Sequence, residues 1–191
     1  MNLKQTCGDS QVCFYEDKKR RNMERIVIIG CPGSGKSTLA RELGDKLNLP
    51  VVHLDRLWWT KGWQNVSREE FDSRLENALN LDRWIIDGNY SRTLETRLQR
   101  CDTVIYLDYS RWLCLWGFFH RLLTRKGTAR PDLPEGCPEK LEWDFVKYIW
   151  NFNKNNKVLN DTQIARAKHA KTVILKNRRE KEAFLKTICN A

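Results

Sequence analysis

The run Gly30-Cys31-Pro32-Gly33-Ser34-Gly35-Lys36-Ser37 constrains this chain more than any other stretch, because it matches the G-x-x-x-x-G-K-[ST] phosphate-binding pattern in full. That pattern works only between a strand and a helix. Ile26-Val27-Ile28-Ile29 reads as a buried strand entering the loop. Ser37-Thr38-Leu39-Ala40-Arg41-Glu42-Leu43 opens a helix with Leu39, Leu43 and Leu47 on one face. The glycines let successive backbone N–H groups turn inward around an anion, and the helix N-terminus adds its partial positive charge. Lys36 then reaches the β- and γ-phosphates and Ser37 is a ligand for Mg²⁺. Gly30, Pro32, Gly33, Ser34, Gly35, Lys36, Ser37 and Thr38 are the candidate phosphate-site residues. An ordinary glycine turn before a helix explains neither Lys36-Ser37 nor the apolar strand.

The 191 residues favour one domain, placed at 23–191. Residues 1–22 lack helical or strand periodicity and end in Lys18-Lys19-Arg20-Arg21, which reads as a poorly ordered tail. Arg20-Arg21-Asn22 before Met23 also fits a translated purine-rich ribosome-binding site, with Met23 as the start; an intact mass with a mature N-terminus at residue 1 would sink that idea. The longest apolar run, Trp112 to Phe119, is far short of the roughly 20 residues that span a bilayer, so no membrane helix is expected. The start of the chain has no secretory core, and its seven cysteines include no C-x-x-C pair. The expectation is a cytoplasmic protein with reduced thiols and no zinc site. A net charge of +10 favours anionic partners. Between Ser110 and Arg130 the charged residues are Arg111, Arg121, Arg125, Lys126 and Arg130, with no carboxylate: either a solvated basic helix or a clamp for phosphate.

Four further short apolar runs follow the loop: Val51-Val52-His53-Leu54, Trp84-Ile85-Ile86, Thr103 to Leu107 and Thr172 to Leu175. Their continuous apolar character predicts parallel strands covered on both faces. Helical segments separate them: Ser67 to Asn80 with a capping box in Ser67 and Glu70, Ser91 to Arg100, Ser110 to Arg125, and a helix opening near Pro138 with Leu141, Phe145, Ile149 and Phe152 on one face. Five strands alternating with helices predict an α/β fold with a doubly wound, five-stranded parallel sheet. The turn-rich stretch Lys126 to Cys137 is inserted between two helices and reads as part of a lid at about 121–140.

Ligands of such sheets bind beyond the carboxyl ends of the strands. Asp55 and Asp87 end two of them. Asp87 in Ile85-Ile86-Asp87-Gly88 has the form of a residue that holds Mg²⁺ through its water shell, and Asp55 is placed to contact or deprotonate an acceptor. Either could instead cap the next turn, the reading preferred for Asp108. Trp58, Trp59 and Trp63 follow Asp55 and could stack on a planar acceptor, although core packing is the simpler account; Trp112, Trp116, Trp143 and Trp150 read as packed helix residues. His53, His120 and His169 show no metal or triad spacing.

Trp84-Ile85-Ile86-Asp87-Gly88-Asn89-Tyr90 resembles the strand-Asp-Gly-aromatic segment of adenylate-kinase-like P-loop kinases. With His53-Leu54-Asp55, Arg111-Trp112-Leu113-Cys114 and Arg130-Pro131-Asp132 leading to Glu135-Gly136-Cys137-Pro138-Glu139-Lys140-Leu141, the chain resembles bacterial DNA topology modulation proteins over most of Met23 to Leu185. The resemblance implies an adenylate-kinase-like fold, ATP as the nucleotide and Mg²⁺ dependence. It also implies lid arginines at Arg121, Arg125 and Arg130, and an acceptor side at Asp55, Asn89, Tyr90 and Arg92. Adenylate kinases follow Asp-Gly with aromatic-Pro-Arg, whereas Asn89-Tyr90-Ser91-Arg92 stands here, which speaks against AMP as acceptor.

Two functions compete on these grounds: a small kinase acting on a nucleotide or small-molecule acceptor, and a nucleotide-gated DNA-binding protein. The lid-like insertion and the two strand-end carboxylates favour the kinase. The near-match to the guanine-reading N-K-x-D pattern, Asn153-Lys154-Asn155-Asn156, lacks its Asp and argues against a GTPase, and no helix-turn-helix or zinc-finger spacing appears.

Overall fold

Ile26 to Ile29 are branched, apolar and fully buried, so the strand they form must be covered on both faces. A computed structural model describes residues 23–124, 132–137 and 141–189 and places that strand at the centre of a parallel sheet. In chain order the elements are β1 (Arg25–Gly30), α1 (Lys36–Leu47), β2 (Val51–His53), α2 (Leu54–Trp58), β3 (Trp59–Thr60), β4 (Gln64–Asn65), α3 (Arg68–Leu79), β5 (Trp84–Asp87), α4 (Ser91–Arg100), β6 (Thr103–Leu107), α5 (Arg111–Thr124), α6 (Trp143–Arg166), β7 (Lys171–Leu175) and α7 (Arg178–Cys189). The sheet order is β2-β5-β1-β6-β7, with Val27 opposite both Ile86 and Val104. All five expected strands are present and parallel. Strand order departs in both directions from β1, so its carboxyl end opens into the crevice where such sheets bind ligands.

Alternation along β1 splits the interior in two. Ile26 and Ile28 face a core with Leu39 and Leu43 of α1, Cys114 and Phe118 of α5, and Ile149 and Phe152 of α6. Val27 and Ile29 face the other core, with Phe71 and Leu75 of α3 and Leu94 and Leu98 of α4. At 24 residues, α6 is about 36 Å long and belongs to both cores. Phe145 and Ile149 pack in the first core. Asn153 then donates to the Tyr109 carbonyl at 3.4 Å and Lys157 pairs with Asp108 just beyond β6. Ile164 and Ala167 finish in the second core. The helix thus roofs the carboxyl edge of the sheet.

Several local expectations need correction. Leu54 opens α2 rather than ending β2. Ser67 caps α3 by accepting the Glu70 N–H at 3.1 Å, but the Glu70 carboxylate turns to Arg74, so only half of the capping box forms. The last long helix starts at Trp143; Pro138 lies outside the described residues, and Leu141 precedes the helix and is half exposed. The antiparallel β3–β4 hairpin was not anticipated; its turn uses positive φ at Gly62 and Trp63. The described part of the inserted stretch docks on it, with the Gly62 N–H bonded to the Gly136 carbonyl at 3.3 Å and the Cys137 thiol donating to the Thr60 carbonyl at 3.2 Å. Trp112, Trp116 and Trp143 are more than half exposed and so are not packed helix residues. Among the described residues no helix is long and apolar enough to cross a membrane.

Candidate functional site

The phosphate loop joins β1 to α1 and lines a cavity of about 810 Å³ at the carboxyl edge of the sheet. Gly33 (φ +81°) and Gly35 (φ +90°) hold the left-handed conformations that turn backbone N–H groups inward. Gly33 has a second reason to be glycine: a Cβ there would lie 2.2 Å from the Cys114 carbonyl oxygen of α5. A Cβ on Gly117 would lie 2.1 Å from the Gly33 carbonyl oxygen, so loop and helix meet backbone to backbone. Pro32 and residues 33–38 line the cavity, whereas Gly30 does not. The Lys36 ammonium donates to the Cys31 carbonyl at 3.1 Å.

Asp87 ends β5 as expected, Asp55 falls in α2 rather than at a strand end, and both reach the cavity. Asp87 is buried, and His53 Nδ1 sits 2.9 Å from its Oδ2; with the carboxylate accepting, Nδ1 carries the proton. Asp87 Oδ1 is buried with no partner among the described residues. An orphaned carboxylate oxygen next to a phosphate loop fits a water-shell ligand of Mg²⁺. Among the described residues no cluster of three or more His, Cys, Asp or Glu is arranged to hold a metal ion. Asp55, in the first turn of α2, accepts the Tyr90 hydroxyl at 2.9 Å. Burial, then the Asp55 charge, push the Tyr90 phenol far above its ordinary range, so it stays a donor. Tyr148 of α6 lines the cavity, and its phenol is raised likewise, by burial first and then by the Asp55 charge.

The remaining sequence candidates divide. Asn89 touches the cavity, but its amide is committed to the backbone of Gly30, accepting from its N–H at 3.0 Å and donating to its carbonyl at 2.7 Å. Arg92 does not line the cavity; its guanidinium forms a two-pronged pair with Asp72 at 2.6 and 2.9 Å. Arg121 lines the cavity. Arg125 and Arg130 lie outside the described residues. Trp58, Trp59 and Trp63 do not line the cavity but pack edge to face on one another, Trp58 also against Phe71 and Tyr90. The outward-facing Trp116 stacks on His120 at 4.9 Å and lies under the Arg178 guanidinium at 4.2 Å; His120 and Arg178 line the cavity.

Sequence reasoning passed over His53, Arg97 and the wall supplied by α6. The first two left signals. Val51-Val52-His53 and Ile85-Ile86-Asp87 pair in register, so the last residues of two parallel strands face each other as His53 and Asp87. Arg97 falls between Leu94 and Leu98 on the apolar face of α4, an unusual place for a charge. The approach of Tyr148, Asn156 and Asn160 of α6 depends on tertiary packing and left none.

This geometry has known counterparts. A family model described as an AAA domain matches residues 26–108, the span from β1 to just past β6. Adenylate kinase from Mycobacterium leprae is 29% identical over 108 residues, which cover 54% of this chain and 58% of that one. The chain thus spans little more than half the length of that relative. Shikimate kinase from Acinetobacter baumannii, solved with shikimate, superposes with a TM-score of 0.54 at 15% identity over 87% of this chain and 90% of that one. Deoxyadenosine kinase from M. mycoides with bound dATP gives 0.52 at 15% identity over 87% and 100%. The fold is that of P-loop kinases.

Proposed function

We propose that the chain is a Mg²⁺-dependent kinase that moves the γ-phosphoryl group of ATP to a hydroxyl or phosphate oxygen of a nucleotide or small molecule. The reading rests chiefly on one arrangement: two carboxylates in unlike surroundings, Asp87 at the end of β5 with an orphaned oxygen and Asp55 in α2 hydrogen-bonded to a phenol, beside a phosphate loop. The kinase names of the similar proteins support it. The resemblance to topology modulation proteins adds no reaction of its own.

In this scheme the N–H groups of residues 33–38 and the Lys36 ammonium bind the β- and γ-phosphates. Ser37 and, through water, Asp87 would hold Mg²⁺, which when bound neutralises charge on the transferring group. His53 holds Oδ2 of the Asp87 carboxylate and leaves Oδ1 for the water shell. Asp55 orients the acceptor O–H and takes its proton as the new O–P bond forms and the bond to the β-phosphate oxygen breaks. Arg121, joined by Arg125 and Arg130 of the lid, meets the charge of the phosphoryl group in flight. The protein would act in the cytoplasm.

The test is transfer of labelled phosphate from ATP to a panel of nucleosides, nucleotides and hydroxylated metabolites, with Lys36→Ala as control. Transfer to at least one acceptor that the variant lacks is expected. No transfer to any, together with nucleotide-dependent DNA binding of steep salt dependence, would replace the kinase by the DNA-binding reading.

A further inference from the structure

The turn Gly88-Asn89-Tyr90 leaves β5 with φ of +140° at Gly88 and +30° at Tyr90. A tyrosine at positive φ persists only where its surroundings hold it. Arg97 of α4 does the holding. It is fully buried, and its guanidinium donates to the carbonyls of Gly88 (2.8 Å), Asn89 (2.5 Å) and Tyr90 (3.1 Å), with Nε on Thr93 (3.3 Å). A buried cation is costly unless its donors are met, and here they converge on one turn. Burial pulls against the charged form, while the nearby Asp87 carboxylate favours it.

The same turn touches both halves of the site. Asn89 grips the N–H and the carbonyl of Gly30, the first residue of the phosphate loop, and Tyr90 donates to Asp55. We propose that Arg97 is a positioning residue for nucleotide binding: by gathering the three carbonyls of residues 88–90 it aims Asn89 at Gly30, and so sets the mouth of the phosphate loop. Tyr90 is aimed at Asp55 by the same clamp, which ties the acceptor carboxylate to the loop through one buried side chain. Lysine cannot substitute, because a point charge on a flexible stem does not span three carbonyls as the planar fork does. The proposal rests on the nucleotide-binding half of the reading above and not on the acceptor.

The test is a double-mutant cycle on affinity for a non-hydrolysable ATP analogue with Mg²⁺, using wild type, Arg97→Lys, Asn89→Ala and the double variant, with thermal unfolding followed alongside. Each single change is expected to weaken binding about 10-fold, as loss of an orienting partner does, and the double no more than either alone, since both cut one link. Additive losses overturn the proposal. So does an Arg97→Lys protein that melts lower yet binds like wild type, which would make Arg97 a stabiliser of the fold only. Should Arg97→Lys not fold, Arg97→Gln enters the same cycle. Hydrogen exchange at the Gly30 amide gives a second readout: replacement of Arg97 must speed it, and an unchanged rate overturns the proposal. A wild type that binds the analogue but transfers no phosphoryl group refutes the kinase reading and leaves this one standing; one that binds nothing refutes both.

Discussion

The phosphate loop and the wall that faces it share the carboxyl edge of one sheet, yet they are built by opposite means. The loop is one contiguous stretch whose turn is made by its own glycines and the helix that succeeds it, with α5 and Asn89 bracing it from outside. The wall is gathered from α2, the turn at 88–90, Asp132 and α6, pieces remote in sequence that meet only in the finished fold. A backbone cradle for phosphate can therefore pass intact between proteins with different substrates, while the facing wall is rebuilt from elements free to vary.

If the division is real, the largest effect lies in the charge met during transfer. Arg121→Ala should cut turnover by about 10³-fold or more and alter ATP affinity far less. Equal losses in both, from steady-state rates and equilibrium titration, would move Arg121 to the ground-state side. Lys36→Ala should weaken ATP binding by about 10- to 150-fold with the melting temperature nearly unchanged; unchanged affinity would break the assignment of the loop. Gly117→Ala asks whether the loop is as local as it looks. Alanine in a helix is ordinarily favourable, but its methyl group would meet the Gly33 carbonyl. A loss of about 1 to 3 kcal/mol in chemical denaturation is expected, with weaker ATP binding, and a stabilised variant would show that α5 yields. Asp87→Asn should raise the Mg²⁺ concentration for half-maximal activity about 10-fold, since the amide keeps the shape and loses the charge; an unaltered requirement would leave Asp87 as the partner of His53 alone. The smallest effect belongs to Arg92→Ala. Its pair with Asp72 is half exposed, so stability should fall by less than about 1 kcal/mol and acceptor KM should hold. A raised KM would mean that Arg92 leaves Asp72 when the acceptor arrives.

How much of this was legible in the sequence follows the same divide. Apolar runs marked the inner strands of the main sheet because parallel strands are buried on both faces, and edge strand β7 by its composition alone, since most of it is exposed; Ser91 to Arg100 bounded α4 correctly because its apolar spacing is local. The loop and both carboxylates were legible because strand ends and turn residues carry their own signals. Arg92 misled because its position after Asp-Gly says nothing of Asp72 on α3, a partner 20 positions earlier in the chain. The outward tryptophans misled because apolar periodicity marks a face without saying whether anything covers it.

The path of α6 from one core to the other also orders events during synthesis. By the time β6 has left the ribosome, the phosphate loop and both carboxylates exist, with the strands that hold them. The roof does not. Tyr148, Asn156 and Asn160 come only with α6, and β7, which closes the edge of the sheet beyond it, comes later still. The side of the cavity that α6 supplies is thus made after the loop it faces.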